Sequence, residues 1–326
     1  GGVTLTSAAG ITLDATTQGI TFTAAGTLNA VNGVTINDAV AAGGTLTIDA
    51  DTDNDGTGTF TTAAGATIDS SAQTLDITAG DVVIGATVAA ATLNITDSDG
   101  GGIGLGDTTV VGGLNVSAAE LELITTTTLM ELITAGNVTV NGIAATNSNT
   151  VNTLTIDAVG AITFASAAST FNALTVEADD GVTANVDITT DVGALAIDAD
   201  AENGTSGLLT VAAGVTLTSA AGITLDATTG GITFTGVGTL NAKTGVTIND
   251  AVTATAGTLT IDADTDDTAG GVFTTAATGT INSGTQTLDI TASDVVIGAT
   301  IAAATLNITD SVGAAGGIGL GAGAAG

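Results

Sequence analysis

Asp51-Thr52-Asp53-Asn54-Asp55-Gly56 is the stretch whose residue types and spacing point most directly to chemistry. Alternate carboxylates followed by a glycine open a calcium loop: the carboxylates converge on one hard cation and the glycine makes the turn. Asp51, Asp53 and Asp55 are therefore candidate calcium ligands, and calcium is the one cofactor the sequence suggests. The loop lacks its closing acid, because Thr62 stands at the twelfth position, where a bidentate Glu is expected. A second version, Asp264-Thr265-Asp266-Asp267-Thr268-Ala269-Gly270, has lost the third alternate Asp, and its Gly is displaced. The competing reading is a solvated acidic turn.

Other chemistry has little to work with. There is no His, Cys or Arg, and Lys243 is the single basic residue. General acid–base and nucleophilic catalysis lose their usual groups, so the expectation is that the chain is not an enzyme. Glycoside hydrolysis needs only two carboxylates. Asp179-Asp180 or Asn37-Asp38 could be nominated, but there is no Trp or Tyr to hold a sugar ring. Gly101-Gly102-Ile103-Gly104-Leu105-Gly106-Asp107 imitates a glycine-rich calcium repeat, yet Gly106 stands where that repeat needs Asp. It reads as a flexible turn, and the related stretch 316–321 has no Asp after it. Thr-x-Thr pairs such as Thr4/Thr6 and Thr21/Thr23 suggest outward threonine rows, the basis of a remote ice-binding alternative. Those rows are interrupted by Asp and Asn, and Thr is a common exposed strand residue. Asn29, Asn94, Asn115, Asn241 and Asn307 each follow a Leu and suggest stacked amide ladders. Asn94-Ile95-Thr96 and Asn307-Ile308-Thr309 also fit the N-glycosylation pattern.

The elements that must position these residues are repetitive. Residues 3–40 return as 215–252 with 33 of 38 positions identical. The offset is 212 residues, then 213 after an insertion before Thr258. The chain thus reads as one continuous solenoid, residues 1–326, with 1–212 as a first unit and 213–326 as the start of a second. Beneath the long repeat lies a short one: apolar, Thr, apolar, then a small or polar turn. Val3-Thr4-Leu5, Ile20-Thr21-Phe22, Leu46-Thr47-Ile48-Asp49-Ala50 and Leu174-Thr175-Val176-Glu177-Ala178 are examples. Apolar residues two apart are the strand period, placing two side chains inside and one Thr outside.

Following Leu75, Leu93, Leu114, Val138, Leu154, Leu174, Leu195 and Val215 gives a single register with steps of 16 to 24 residues. The expected fold is all-β, a right-handed parallel β-helix (β-solenoid) of about 15 coils of roughly 20 residues, rising ~75 Å. The absence of Pro leaves every backbone N–H free for the ladders. Segment 118–134 resists the pattern. It reads either as a short helix over an edge or as continued coils, and four consecutive Thr favour coils.

Composition bounds the partners. The formal charge is −32, with 33 acidic residues. Nucleic acid and anionic membrane surfaces are not expected, since phosphates demand Lys and Arg. No apolar run reaches the ~18 residues of a spanning helix, so no membrane insertion is expected. No Cys means no disulfide framework.

The Thr/Gly/Ala/Asn/Asp composition, the recurring strand triplets, the missing Cys and the long near-verbatim repeats together resemble the filamentous-haemagglutinin-like and giant-adhesin repeat proteins of bacteria. That resemblance implies a β-helical rod on the cell surface, used for adhesion, as a stalk or as a fibre. The chain opens within a repeat at Gly1-Gly2-Val3, and 319–326 does not look like a cap. The expected function is an extracellular structural rod whose partners are copies of itself or adjacent repeats, end to end. The alternative is a calcium-dependent adhesin module for an unidentified host or cell-surface ligand.

Overall fold

A computed structural model describes residues 2–15, 18–204, 207–228 and 230–313. The glycine stretch 316–321 and the terminal stretch 319–326 lie outside the described residues. The fold is the expected all-β parallel solenoid: every strand pairing is parallel, and successive strands pair with the next coil. Among the described residues no helix is long and apolar enough to cross a membrane.

Each coil visits three faces in turn. Val3–Ser7 lies on face one, Ile11–Leu13 on face two and Ile20–Phe22 on face three. Gly26–Ala30 then returns to face one and pairs with Val3–Ser7. The triplet rule holds locally. Val34 and Ile36 are fully buried and Thr35 between them is not; Ile162-Thr163-Phe164 and Leu209-Thr210-Val211 do the same. All six Phe are buried, alongside small and β-branched side chains that suit closely spaced walls.

Among the described residues face one carries thirteen strands in chain order. Its central inward row runs Leu5, Leu28, Ile48, Ile77, Ile95, Leu132, Ile156, Val176, Ile197, Leu225, Ile248, Thr275, Ile297. Twelve steps cover the distance, so the mean coil is about 24 residues and the rungs span about 58 Å. Among the described residues the expectation of about 15 coils of roughly 20 residues is corrected to thirteen longer ones. Long loops at 50–58 and 263–271, and an excursion over 98–123, account for the difference.

The register is corrected too. Leu93 faces Met130, not Leu114. Leu114 and Val138 sit on face two, on either side of Ile103. The same apolar-Thr-apolar triplet occurs on all three faces, so spacing alone could not separate them.

The excursion has a consequence for the duplication. Ile103–Gly106 is a strand, with all four residues buried, where a turn was expected. The chain then steps back, and Leu114–Val116 packs on the side of that strand facing Asp81–Ile84. Face two is thereby visited twice in one coil. Val3–Ser7 occupies face one, but its second-copy equivalent, Thr216–Ser219, occupies face three against Ile188–Thr190. Ile11–Leu13 is on face two, and its equivalent Ile223–Asp226 is on face one. The two copies are rotated by one face. In/out alternation works equally well on any face, so near-identical sequence tolerates the rotation.

Segment 118–134 turns out to be both readings at once. Ala118–Leu121 is one helical turn, closed by a Ser117/Glu120 capping box, and Ile124–Thr134 is strand. Glu120 also accepts from Ile84 N at 3.0 Å, which pins the turn to the preceding coil.

Candidate functional site

Three loops share one construction. Leu46-Thr47-Ile48-Asp49-Ala50-Asp51, Leu195-Ala196-Ile197-Asp198-Ala199-Asp200 and Leu259-Thr260-Ile261-Asp262-Ala263-Asp264 each end a strand, and each is followed seven residues after its last Asp by Gly58, Gly207 or Gly271. The outward Asp accepts from the amide of the buried one: Asp49 from Asp51 N at 3.1 Å, Asp198 from Asp200 N at 3.0 Å, Asp262 from Asp264 N at 3.2 Å. Three residues on, Asn54, Asn203 and Asp267 adopt φ of 53°, 55° and 53°. Asn and Asp tolerate that left-handed conformation better than most residues. At the closing glycine an added Cβ would overlap the carbonyl of Ala50, Ala199 or Ala263. Only the repeated first and second copies were recognisable as related from the long duplication. The third loop, at Asp200, was missed although its IDAD spacing matches.

Asp51, Asp200 and Asp264 are fully buried. Asp51 is well supplied with donors: Gly56 N at 2.9 Å and Ser98 Oγ at 2.5 Å to Oδ2, and Gly58 N at 3.2 Å to Oδ1. Its first role is therefore to hold the loop closed. The sequence-derived trio does come together: Asp51, Asp53 and Asp55 each offer an oxygen within 4.8 Å of the others, with Asp53 and Asp55 exposed. Asp55 is held below the usual carboxylate range by the Thr57 hydroxyl and then the Thr57 amide, so it stays ionised. Thr62 does not join them. It is buried, and its hydroxyl accepts from Gly85 N at 2.9 Å.

A second acidic feature runs along face one. Asp157, Glu177, Asp198 and Asp226 occupy the same outward position on four consecutive rungs. Burial, and then neighbouring carboxylates, pushes Asp157 and Glu177 above the ordinary carboxylate range. Burial also raises Asp198, against a lowering contribution from the Asp200 amide. Asp250 is pushed up to about 6, first by burial and then by its hydrogen-bonded neighbour Asp226. Like charges on adjacent rungs repel.

The asparagines pair with carboxylates rather than stacking on one another. Asn94 donates to Asp76 at 2.7 Å, Asn307 to Asp289 at 2.5 Å and Asn249 to Asp226 at 2.9 Å. Asn29 and Asn241 are in register with Asp49 and Asp262. The expected amide ladders are corrected to Asn–Asp pairs. Asn115 closes the 107–113 loop by accepting from Val110 N and donating to Gly113 O. Asn94 is half-buried and committed to its neighbour, so its glycosylation pattern coincides with a ladder position.

Asp38 accepts from Ala15 N at 2.6 Å, a turn contact. Asp179 is half-buried and Asp180 exposed, in the turn after Leu174–Ala178. The threonine row on face one is interrupted by Asp76, Asn94, Glu131 and Ala196. On face two Thr139, Thr163, Thr183, Thr210, Thr233 and Thr253 follow one another without a break, in single file.

Comparisons with protein-family models, with curated proteins and with solved structures found no match to this chain.

Proposed function

We propose that the chain is a structural rod, a segment of an extracellular β-solenoid of the filamentous-haemagglutinin-like, giant-adhesin kind. It would extend by pairing its terminal rungs with an adjacent repeat or another copy. One observation carries this reading: equivalent residues are buried in one copy and exposed in the other. Val3 and Leu5 are 51% and 39% exposed, whereas Val215 and Leu217 are 4% and 0% exposed. The difference is that Leu217 is covered by Ile188 of the preceding rung. At the opposite end Leu306 is 42% exposed, whereas its equivalent Leu93 is fully buried, between Leu75 and Met130. The same side chains are thus buried wherever a neighbouring coil lies against them, which suits a unit repeated along a solenoid, and uncovered strand edges pair readily.

The test is a sedimentation and electron-microscopy series over protein concentration. Lengthening rods at high concentration, blocked by Leu5→Lys, would support the reading. A single monomeric species at every concentration would remove it.

A further inference from the structure

We propose that face two, from Val138–Asn141 to Ile301–Ala302, is a lateral interface through which two copies of this chain lie side by side. The proposal goes beyond the rod reading and does not rest on it, since the ends of the solenoid take no part.

The observation that carries it is where charge is missing. The threonine row from Thr139 to Thr253 continues in register into Asn282 and Ala302, making eight rungs. The residues two before and two after each of these occupy the flanking outward positions of the strand period. Over all eight rungs the three files contain only Thr, Asn, Ala, Gly and Leu208. No position is charged, in a chain with 33 acidic residues. Faces one and three differ. Face one carries Glu131, Asp157, Glu177, Asp198 and Asp226 among its outward positions, and face three carries Asp262 and Asp289.

That difference names the occupant. A formal charge of −32 holds copies of this chain apart. Approach through face one or face three sets carboxylate against carboxylate. Face two is the side on which two copies meet without that repulsion. The acids nearest its middle, Asp180 and Asp187, stand in the turns on either side of Val182–Ala184, at the margins of the patch.

Shape and size agree. The threonines repeat at ~4.8 Å along the face. Rows of identical β-branched side chains interdigitate when two sheets face each other, and a two-fold axis places the same patch on both partners. Eight rungs, each about five residues wide, cover ~600 Å² per copy. Pairing then buries ~1,200 Å² in total, the size of a small specific interface. Leu208, 37% exposed, lies within the patch and gains cover. The patch stops where the 107–113 loop begins, because the backbone of Thr108 and Val110 lies over Gly104.

The experiment is sedimentation velocity of the full chain over a range of protein and salt concentrations. Salt shortens the reach of the marginal acids, so the dimer should strengthen as NaCl rises, with the friction of paired rods and not of one rod twice as long. Thr183→Glu combined with Thr210→Glu should weaken it at least tenfold with the circular dichroism unchanged. Thr183→Asn combined with Thr210→Asn should keep it. Thr224→Glu, outward on face one, and Leu5→Lys, which blocks end pairing, should each leave it as it was. A chain that stays monomeric at high salt would overturn the proposal. So would a dimer indifferent to the two glutamates, or one abolished by Leu5→Lys, which would mean end-to-end pairing only. A monomer whose face-two glutamates change only its retention on ice or on an insoluble polysaccharide would assign the face to another occupant, and would overturn it as well.

Discussion

Ser98 donates its hydroxyl to the buried carboxylate of Asp51 at 2.5 Å, across 47 residues of sequence. With the Gly56 and Gly58 amides it replaces the water that burial takes from this carboxylate. Asp51→Ala would leave two loop amides without their acceptor. A loss of about 3 kcal/mol is expected, and roughly half that for Ser98→Ala. Hydrogen exchange at Gly56 and Gly58 in chelator would report it, because a repeat array need not unfold in one step. Unchanged exchange in Asp51→Ala would contradict the role assigned here.

Phe22 and Gly26 form a second dependent pair. A Cβ at Gly26 would overlap the Phe22 ring, and one at Gly238 would overlap Phe234 in the same way. Gly26→Ala should therefore cost about 1–3 kcal/mol by overpacking. Combining it with Phe22→Leu should recover part of that loss, a coupling that denaturant unfolding of the single and double variants would measure. Additive losses would show that the ring and the glycine act separately.

Stability should fall as pH rises through the mildly acidic range. Asp250 titrates at about 6 in the fold against 3.8 ordinarily, so the folded state binds its proton more tightly. Its stabilising contribution is full below pH 3.8 and is lost as pH climbs through about 6. Asp157, Glu177 and Asp198 shift in the same direction. Melting temperature should be higher at pH 5 than at pH 8, and Asp250→Asn should flatten that slope. A melting temperature that rises over the same interval would contradict the assignment.

Outward cysteines can test the corrected register. Asn94 is in register with Glu131 on the next rung of face one. Asn94→Cys with Glu131→Cys should cross-link readily, because neighbouring strands lie ~4.8 Å apart, within the span of a disulfide. Asn94→Cys with Asn115→Cys, the pair implied by placing Leu114 next to Leu93, should not. The opposite pattern would restore the simpler register.

The sequence by itself determined the fold. Val34-Thr35-Ile36 and its many relatives can bury two side chains and expose one only as a strand, and strands this short need a neighbour in the next coil. It also brought Asp51, Asp53 and Asp55 forward, because alternate carboxylates and a glycine are a local pattern. What only the tertiary structure decided depends on which coil lies against which. Identical triplets serve all three faces, so spacing could not reveal that Leu114 leaves the Leu93 row or that the copies are rotated. Ser98 and Asp99 could not be recognised as neighbours of the Asp51 loop for the same reason. Their proximity is set by stacking two coils on, and nothing in their local sequence encodes it.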